Sequence, residues 1–280
     1  MKILITGANG QLGRELAIQY KEKKGIELIL AGKSDLDISN VVEVYNFVNK
    51  NKPDVIINCA AFTAVDKCEL QIDMAYKVNT IGPKNLATAA NVIGAEIVQI
   101  STDYVFDGNN NQSLTEFEQV NPQTVYGKTK LEGEILVKNH NSKHYIVRTA
   151  WLYGDGNNFV KTMINLSKTN TTLKVVNDQK GTPTSTVDLA RVILKLIEDK
   201  NYGLFHCTCK GECTWYEFTK EIFRLKGITT EVLPCSTNEF PRPAKRPEYS
   251  VLRNYMMELT TGDITRTWQE AIYEYLNKII

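Results

Sequence analysis

A doubly wound, parallel α/β sheet followed by a smaller mixed α/β region is the fold class that the sequence predicts, on three observations. Short runs rich in Ile and Val alternate with segments of helical periodicity through the first 150 residues. The runs are apolar at consecutive positions, as strands buried on both faces must be. Glycines stand at 7, 10 and 13, between the first such run and the first helical one. Right-handed crossovers then leave few topologies besides the doubly wound, Rossmann-type sheet.

The strands expected in order are "KILIT" (2–6), "ELILA" (27–31), "DVIIN" (54–58), "EIVQIS" (96–101) and "YIVRTA" (145–150). Between them "GQLGRELAIQYKEK", "NVVEVYNFVNKN", "NTIGPKNLATAANVIG" and "TKLEGEILVKN" repeat apolar residues at helical intervals. Residues 1–150 therefore form the expected dinucleotide-binding domain, joined by part of 173–200, and 151–280 form mainly a substrate-binding domain. In that second part "LKVVN", "TVDLARVILKLIE", "LFHCT" and "TWYEFTKEIFRLKG" keep element-like patterns. The stretch "FPRPAKRPEYSVL" (240–252) reads as a loop, and "DITRTWQEAIYEYLNKII" as a closing amphipathic helix.

Composition excludes several classes. With 33 basic and 32 acidic residues the net charge is +1, so nothing pulls the chain toward nucleic acid or an anionic membrane. No apolar run approaches the ~20 residues of a membrane span, and the N-terminus lacks a signal peptide's pattern. Six scattered cysteines point to reduced thiols and a cytoplasmic location. The crowded "HCTCKGEC" (His206, Cys207, Cys209, Cys213) lacks a second ligand pair at finger spacing, so it reads as strand and turn thiols and no metal is assigned.

The glycines in "ITGANGQLGRELA" permit a tight turn and a close backbone approach, and the following helix N-terminus offers N–H groups to an anion. A dinucleotide is the implied ligand, held by Gly7, Asn9, Gly10, Gln11, Leu12 and Gly13. After the second strand, Lys33 favours NADPH and Asp35 favours NADH, so NADPH or NADH stays open. Tyr126 and Lys130 lie four apart on one helix face, where an ammonium would lower a phenol's pKa. Ser101 and Thr102 fall at a strand's carboxyl end, where such sheets place their chemistry.

The spacing of the glycines together with "NCAA" (58–61) resembles the extended short-chain dehydrogenase/reductase superfamily. The resemblance implies that Asn58, Ala60, Ala61, Asp37 and Ile38 belong to the cofactor site, together with Asn79, which supports the active-site geometry from the middle helix. It also implies that Thr102 orients a carbonyl, Tyr126 transfers the proton, and Lys130 tunes Tyr126 and holds the cofactor ribose. "AAFTAVDKCE", "STDYVFDG", "VYGKTKLEGE", "RTAWLYGDGNNFVKTM", "VVNDQKGTPT" and "PAKRPEYSVL" narrow the match, over nearly the whole chain, to the dTDP-4-dehydrorhamnose reductase family. Reduction of the 4-keto group of a nucleotide-linked sugar, in polysaccharide precursor synthesis, is the activity implied.

Thr102 is followed by Asp103 and Tyr104, so the Asp-Glu pair of related dehydratases is missing. By the same resemblance Thr63, Val65, Thr102, Asp103, Tyr104 and Trp151 surround the sugar, while Arg246 and Lys245 suit its diphosphate. Asn158 and Phe159 are either helix-start residues or lining. Some members of the family are dimers with magnesium at the interface. Glu15 matches one acidic position there and "TSTVDLA" offers Asp188, so a homodimer and a magnesium ion are carried only in part. Two alternatives stay open: a catalytically silent regulatory subunit like that of methionine adenosyltransferase, and a different nucleotide-sugar reductase or epimerase.

Overall fold

In the computed structural model, which describes residues 1–279, the first strand-turn-helix unit sets the frame for the rest. Strand β1 (Lys2–Thr6) runs into helix α1 (Gln11–Lys21), then β2 (Glu27–Ala31), α2 (Val41–Asn51) and β3 (Val55–Asn58). Two short helices, α3 (Val65–Leu70) and α4 (Ile72–Tyr76), precede a π-helical turn, Lys77–Ile81, and α5 (Gly82–Val92). Then come β4 (Glu96–Thr102), α6 (Val125–His140) and β5 (His144–Thr149). Helix α6 starts four residues earlier than the sequence pattern suggests, because the Thr124 side chain caps it by accepting from Gly127 N.

The second part is built of small pieces. Strands β6 (Leu152–Tyr153), β7 (Thr172–Val176), β8 (Lys180–Gly181) and β9 (Thr184–Ser185) alternate with α7 (Phe159–Ser167) and lead to α8 (Thr186–Glu198). Strands β10 (Gly203–His206), β11 (Cys213–Thr214) and β12 (Glu231–Cys235) follow, with α9 (Trp215–Lys226), α10 (Tyr255–Leu259) and α11 (Trp268–Lys278). The closing helix expected to run to the end is thus present as α11, and its last expected residue, Ile280, lies outside the described residues.

Six parallel strands form the main sheet in the order β10-β5-β4-β3-β1-β2. The order reverses between β1 and β3, and a crevice opens at that switch point. Ile3 and Ile5 pack on one face with Leu16 of α1 and Leu189 and Ile193 of α8, whereas Leu4 and Ile56 pack on the other with Val48 and Leu86. Burial of each such side chain is worth ~1.5–3 kcal/mol, so both helical layers are held to the sheet.

Two observations bear on the expected boundary. Strand β10, which lay in the predicted substrate-binding region, is the sixth strand of the main sheet. Of residues 173–200, part of which is expected to join the first domain, α8 packs on α1, whereas β7 pairs with β12. The reason is length: β10 follows α8 by four residues and can only reach the exposed edge of β5. Among the described residues, no helix is long and apolar enough to cross a membrane.

Candidate active site

The turn after β1 brings its glycines against β3. Gly7 has φ +63°, and a Cβ there would lie 2.6 Å from Ala60 N and 2.8 Å from the Cys59 carbonyl carbon. At Gly13 a Cβ would lie 2.7 Å from the Ala8 Cα, so helix and turn can approach only without side chains. Gly10 stands at the N-cap of α1 with no side-chain cap, leaving the first-turn N–H groups facing the crevice. This cradle fits a dinucleotide's pyrophosphate.

One large cavity, about 1220 Å³, opens from this cradle along the carboxyl ends of the strands. Gly10, Gln11, Leu12, Gly13, Asn58, Ala60 and Ala61 line one end. Thr63, Val65, Thr102, Asp103, Tyr104, Tyr126, Lys130, Trp151, Phe159, Lys245 and Arg246 also line the cavity. The catalytic and substrate candidates are therefore brought together. Glycine 7 and Asn9 stand behind the lining, within the turn itself.

Three other cofactor candidates, Asp37, Ile38 and Asn79, are not among the residues lining this cavity. Asn79 sits in the π-helical turn, where its amide accepts from Phe62 N at 2.8 Å and donates to Phe62 O at 3.1 Å and Thr129 Oγ1 at 3.2 Å. It braces the loop after β3 against α6. Ile38 is a core residue under Gly82 and Leu86, and the Asp37 carboxylate accepts from the Ser39 backbone and hydroxyl. Asn158 is also a framework residue: it caps α7 and donates to Gly154 O at 2.6 Å. Phe159 beside it lines the cavity.

Tyr126 and Lys130 are both nearly fully buried, one turn apart on α6. The expected lowering of the phenol's pKa is absent in this structure. Burial raises the Tyr126 pKa above that of a free phenol; the Thr102 hydroxyl works against the rise, while Asp103 and Cys68 add to it. The Lys130 ammonium donates instead to Ile100 O of β4, at 2.5 Å. Burial brings its own pKa down to about 8, against the pull of Glu134 and Cys59. A protonated phenol beside a strand-end hydroxyl is a proton donor.

Thr102 donates to Asp103 Oδ1 at 3.0 Å and accepts from Tyr104 N at 3.2 Å, so its hydroxyl is fixed at the end of β4. Asp103 is buried and its pKa is raised to about 6, burial outweighing the lowering by the neighbouring Ser250 and Thr102 hydroxyls. Tyr104 meets Tyr126 edge-on, with centroids 5.5 Å apart.

Trp215, Gly181, Gln179 and Asp66 carried no sequence signal, and they hold the expected Trp151 and Arg246 in place. Trp151, a non-glycine residue at φ +48°, stacks face to face on Trp215 at 3.4 Å and 6°. Gly181 lies under the same indole, since a Cβ there would sit 2.7 Å from Trp151 Nε1. Gln179 accepts from Trp215 Nε1 at 3.2 Å. Asp66, at the start of α3, accepts from Arg246 Nη2 at 2.9 Å and from Ala244 N at 3.2 Å, tying the proline-rich loop across the crevice. Arg14 joins Asn9 O to Asp155, and Gly154 N donates to Gln11 Oε1 at 2.9 Å, which locks the 154–158 loop over α1.

The thiols of "HCTCKGEC" separate into two cores: Cys207 packs under the main sheet, and Cys209 and Cys213 pack with Phe218 and Trp268. All six cysteines are free. Burial and the nearby Arg148 bring the His206 pKa down to about 3. Glu15 accepts from Gln19 at 2.6 Å, and buried Asp188 is paired with Arg266 at 2.6 Å and Arg191 at 2.9 Å. Asp188 is thus a framework carboxylate joining α8 to the C-terminal segment.

A switch-point cradle, a strand-end threonine and a Tyr/Lys helix pair in one crevice define an extended short-chain dehydrogenase/reductase fold. Comparison narrows this. The family described as RmlD substrate binding domain matches residues 1–280. A dTDP-4-dehydrorhamnose reductase from Clostridium acetobutylicum superposes with a TM-score of 0.99 at 70% identity, over 100% of this chain and 99% of that one. One from Bacillus anthracis, in complex with NADP, gives 0.96 at 42% identity over 99% of each. The spore coat polysaccharide biosynthesis protein SpsK of Bacillus subtilis is 42% identical over 99% of this chain and 97% of its own length. The chain belongs to the RmlD substrate binding domain family, that of the dTDP-4-dehydrorhamnose reductases.

Proposed function

We propose that this chain is an NADPH-dependent reductase of dTDP-4-dehydro-L-rhamnose, yielding dTDP-L-rhamnose, with Thr102, Tyr126 and Lys130 as its catalytic residues. The observation that carries the reading is that these three side chains and the glycine cradle line one crevice. A bound nicotinamide supplies the hydride. The chain's own residues do the rest. Thr102 orients the carbonyl oxygen by turning to it the hydroxyl hydrogen now given to Asp103, and Tyr126 gives that oxygen its proton as charge develops. Lys130, charged in the neutral range, stabilises the phenolate left behind.

On the substrate side, Thr63, Val65, Asp103, Tyr104 and Trp151 enclose the sugar, and Arg246 pairs with the diphosphate through its planar fork. Gly7, Asn9, Gly10, Gln11, Leu12, Gly13, Asn58, Ala60 and Ala61 are the cofactor residues of this reading, with Asp37, Ile38 and Asn79 added by the family resemblance. NADPH is favoured because the Asp35 carboxylate is turned onto Gly32 N at 2.8 Å while Lys33 is exposed, and because the Bacillus anthracis relative holds NADP. The division into a dinucleotide-binding and a substrate-binding part, with α8 and β10 in the former, belongs to the same reading. So do a cytoplasmic location, supported by the free buried thiols, and a homodimer, carried by the family resemblance alone.

The regulatory-subunit alternative is not favoured, because it leaves the buried Tyr126, Lys130 and Thr102 without a task. The test follows oxidation of NADPH and NADH, in parallel, with the dTDP-4-keto sugar. Turnover with either supports the reductase. Cofactor binding with no turnover of any keto sugar would favour the regulator.

A further inference from the structure

The motif "YGKTKLEGE" places a third polar residue, Glu134, one further turn along the face that carries Tyr126 and Lys130. Its surroundings are unusual for a carboxylate. Glu134 is fully buried, accepts from the Ser101 hydroxyl at 2.5 Å, and is gripped by Arg148 through Nε at 2.9 Å and Nη2 at 2.7 Å. Ser101 and Arg148 are themselves buried, and they are register partners on β4 and β5. Ser101 immediately precedes Thr102. One carboxylate therefore joins the helix bearing the proton donor to the strand bearing the carbonyl-orienting hydroxyl. Arg148 completes the seat: its guanidinium carbon lies 5.3 Å over the Phe106 ring.

We propose that Glu134, clamped by Arg148 and Ser101, is a positioning residue that holds the Tyr126–Lys130 face of α6 in register with Thr102. The inference rests on the catalytic reading above. A buried ion pair is weak evidence for stability, since hydrophobic residues of similar volume often do as well. Its geometric value is larger: a bidentate fork fixes direction as well as distance. A misplacement of about 1 Å at such a site costs on the order of 10²-fold in rate.

Charge follows from the same arrangement. Glu134 and Cys59 face Lys130; Asp103, Tyr104 and Cys68 face Tyr126; Glu116 and His206 face Arg148. In Glu134→Gln the amide keeps an acceptor for Ser101, but the Arg148 charge is left uncompensated. An extra positive charge makes both Lys130 and Tyr126 lose their protons at lower pH.

The test compares pH profiles of kcat/KM for wild type, Glu134→Gln and Tyr126→Phe, with NADPH affinity measured by fluorescence titration. The expected result is a ~10-fold lower kcat in Glu134→Gln, an alkaline limb moved down by about half a pH unit or more, and near-native NADPH affinity. An unmoved limb and unchanged kcat in Glu134→Gln, with Tyr126→Phe inactive, would overturn this inference alone. An active Tyr126→Phe would overturn the catalytic reading beneath it. If Glu134→Gln does not fold, Ser101→Ala decides, since it keeps the ion pair and removes only the tie to β4. A several-fold fall in its kcat with NADPH affinity retained supports the positioning role, and wild-type kcat refutes it.

Discussion

The two ends of the crevice are made in different ways. The cofactor end is backbone: Gly7 and Gly13 let β1, α1 and the Ala60 segment come together, and every residue involved lies within a few positions of a strand's end. The substrate end is side chains joined over long distances. Trp151 stacks on Trp215 and Arg246 is held by Asp66, contacts that no local spacing encodes. The first kind of site fails when a single methyl group is added. The second kind loses affinity in steps as each contact is removed.

The largest effect is therefore expected at the cofactor end. In Gly7→Ala the new Cβ meets backbone on the β3 side, and the left-handed φ is strained for any other residue. Stability should fall by more than ~1 kcal/mol in denaturant titration, and NADPH affinity by ~10-fold or more. Wild-type stability and NADPH affinity in that variant would mean the cradle is not as closed as described.

A smaller and more selective loss is expected for Arg246→Ala. A charge-assisted contact is worth ~1.5–3 kcal/mol, so KM for the sugar nucleotide should rise ~10-fold or more while KM for NADPH stays put. If both KM values rise together in steady-state kinetics, Arg246 supports the fold of the crevice instead of the substrate. The smallest change belongs to Trp215→Leu. An aromatic pair contributes ~0.5–1.5 kcal/mol beyond its burial, so KM for the sugar should rise by only ~2–10-fold. That partial release of the Trp151 indole would also be visible as a change in intrinsic fluorescence. An unaltered spectrum would show that Trp151 does not depend on the stack.

The same contrast explains what could be read from the residues alone. Five of the six sheet strands were legible because runs buried on both faces are apolar throughout, and β1 to β5 lie within about two residues of their expected limits. The sixth, Gly203–His206, was assigned elsewhere, since its four residues carry no sign of which edge they will join. Thr102, Tyr126 and Lys130 were legible through strand-end position and helical spacing, and the structure brings them into one cavity. Trp215, Gln179, Gly181 and Asp66 were not, because their meaning arises only from residues 30 to 180 positions away in the chain. For Asn158 the sequence left helix start and lining open, and the structure places it at the N-cap of α7. Buried asparagines serve backbone groups as readily as ligands, and only the donor and acceptor geometry separates the two.

The pH behaviour of the crevice also differs from simple expectation. Proximity of an ammonium suggested an acidic phenol, but desolvation prevails at Tyr126, and the Lys130 charge is directed at a β4 carbonyl. The outcome favours reduction, which begins with the proton on the tyrosine.

The central claim is that Tyr126 is the proton donor of a nicotinamide-dependent ketone reduction. Single-turnover oxidation of NADPH by the dTDP-4-keto sugar, compared between wild type and Tyr126→Phe, tests it most directly. The substitution removes one oxygen from a residue inside the cavity. The rate of the chemical step should fall by ~10²-fold or more with NADPH binding intact. An unchanged rate in Tyr126→Phe would contradict the account.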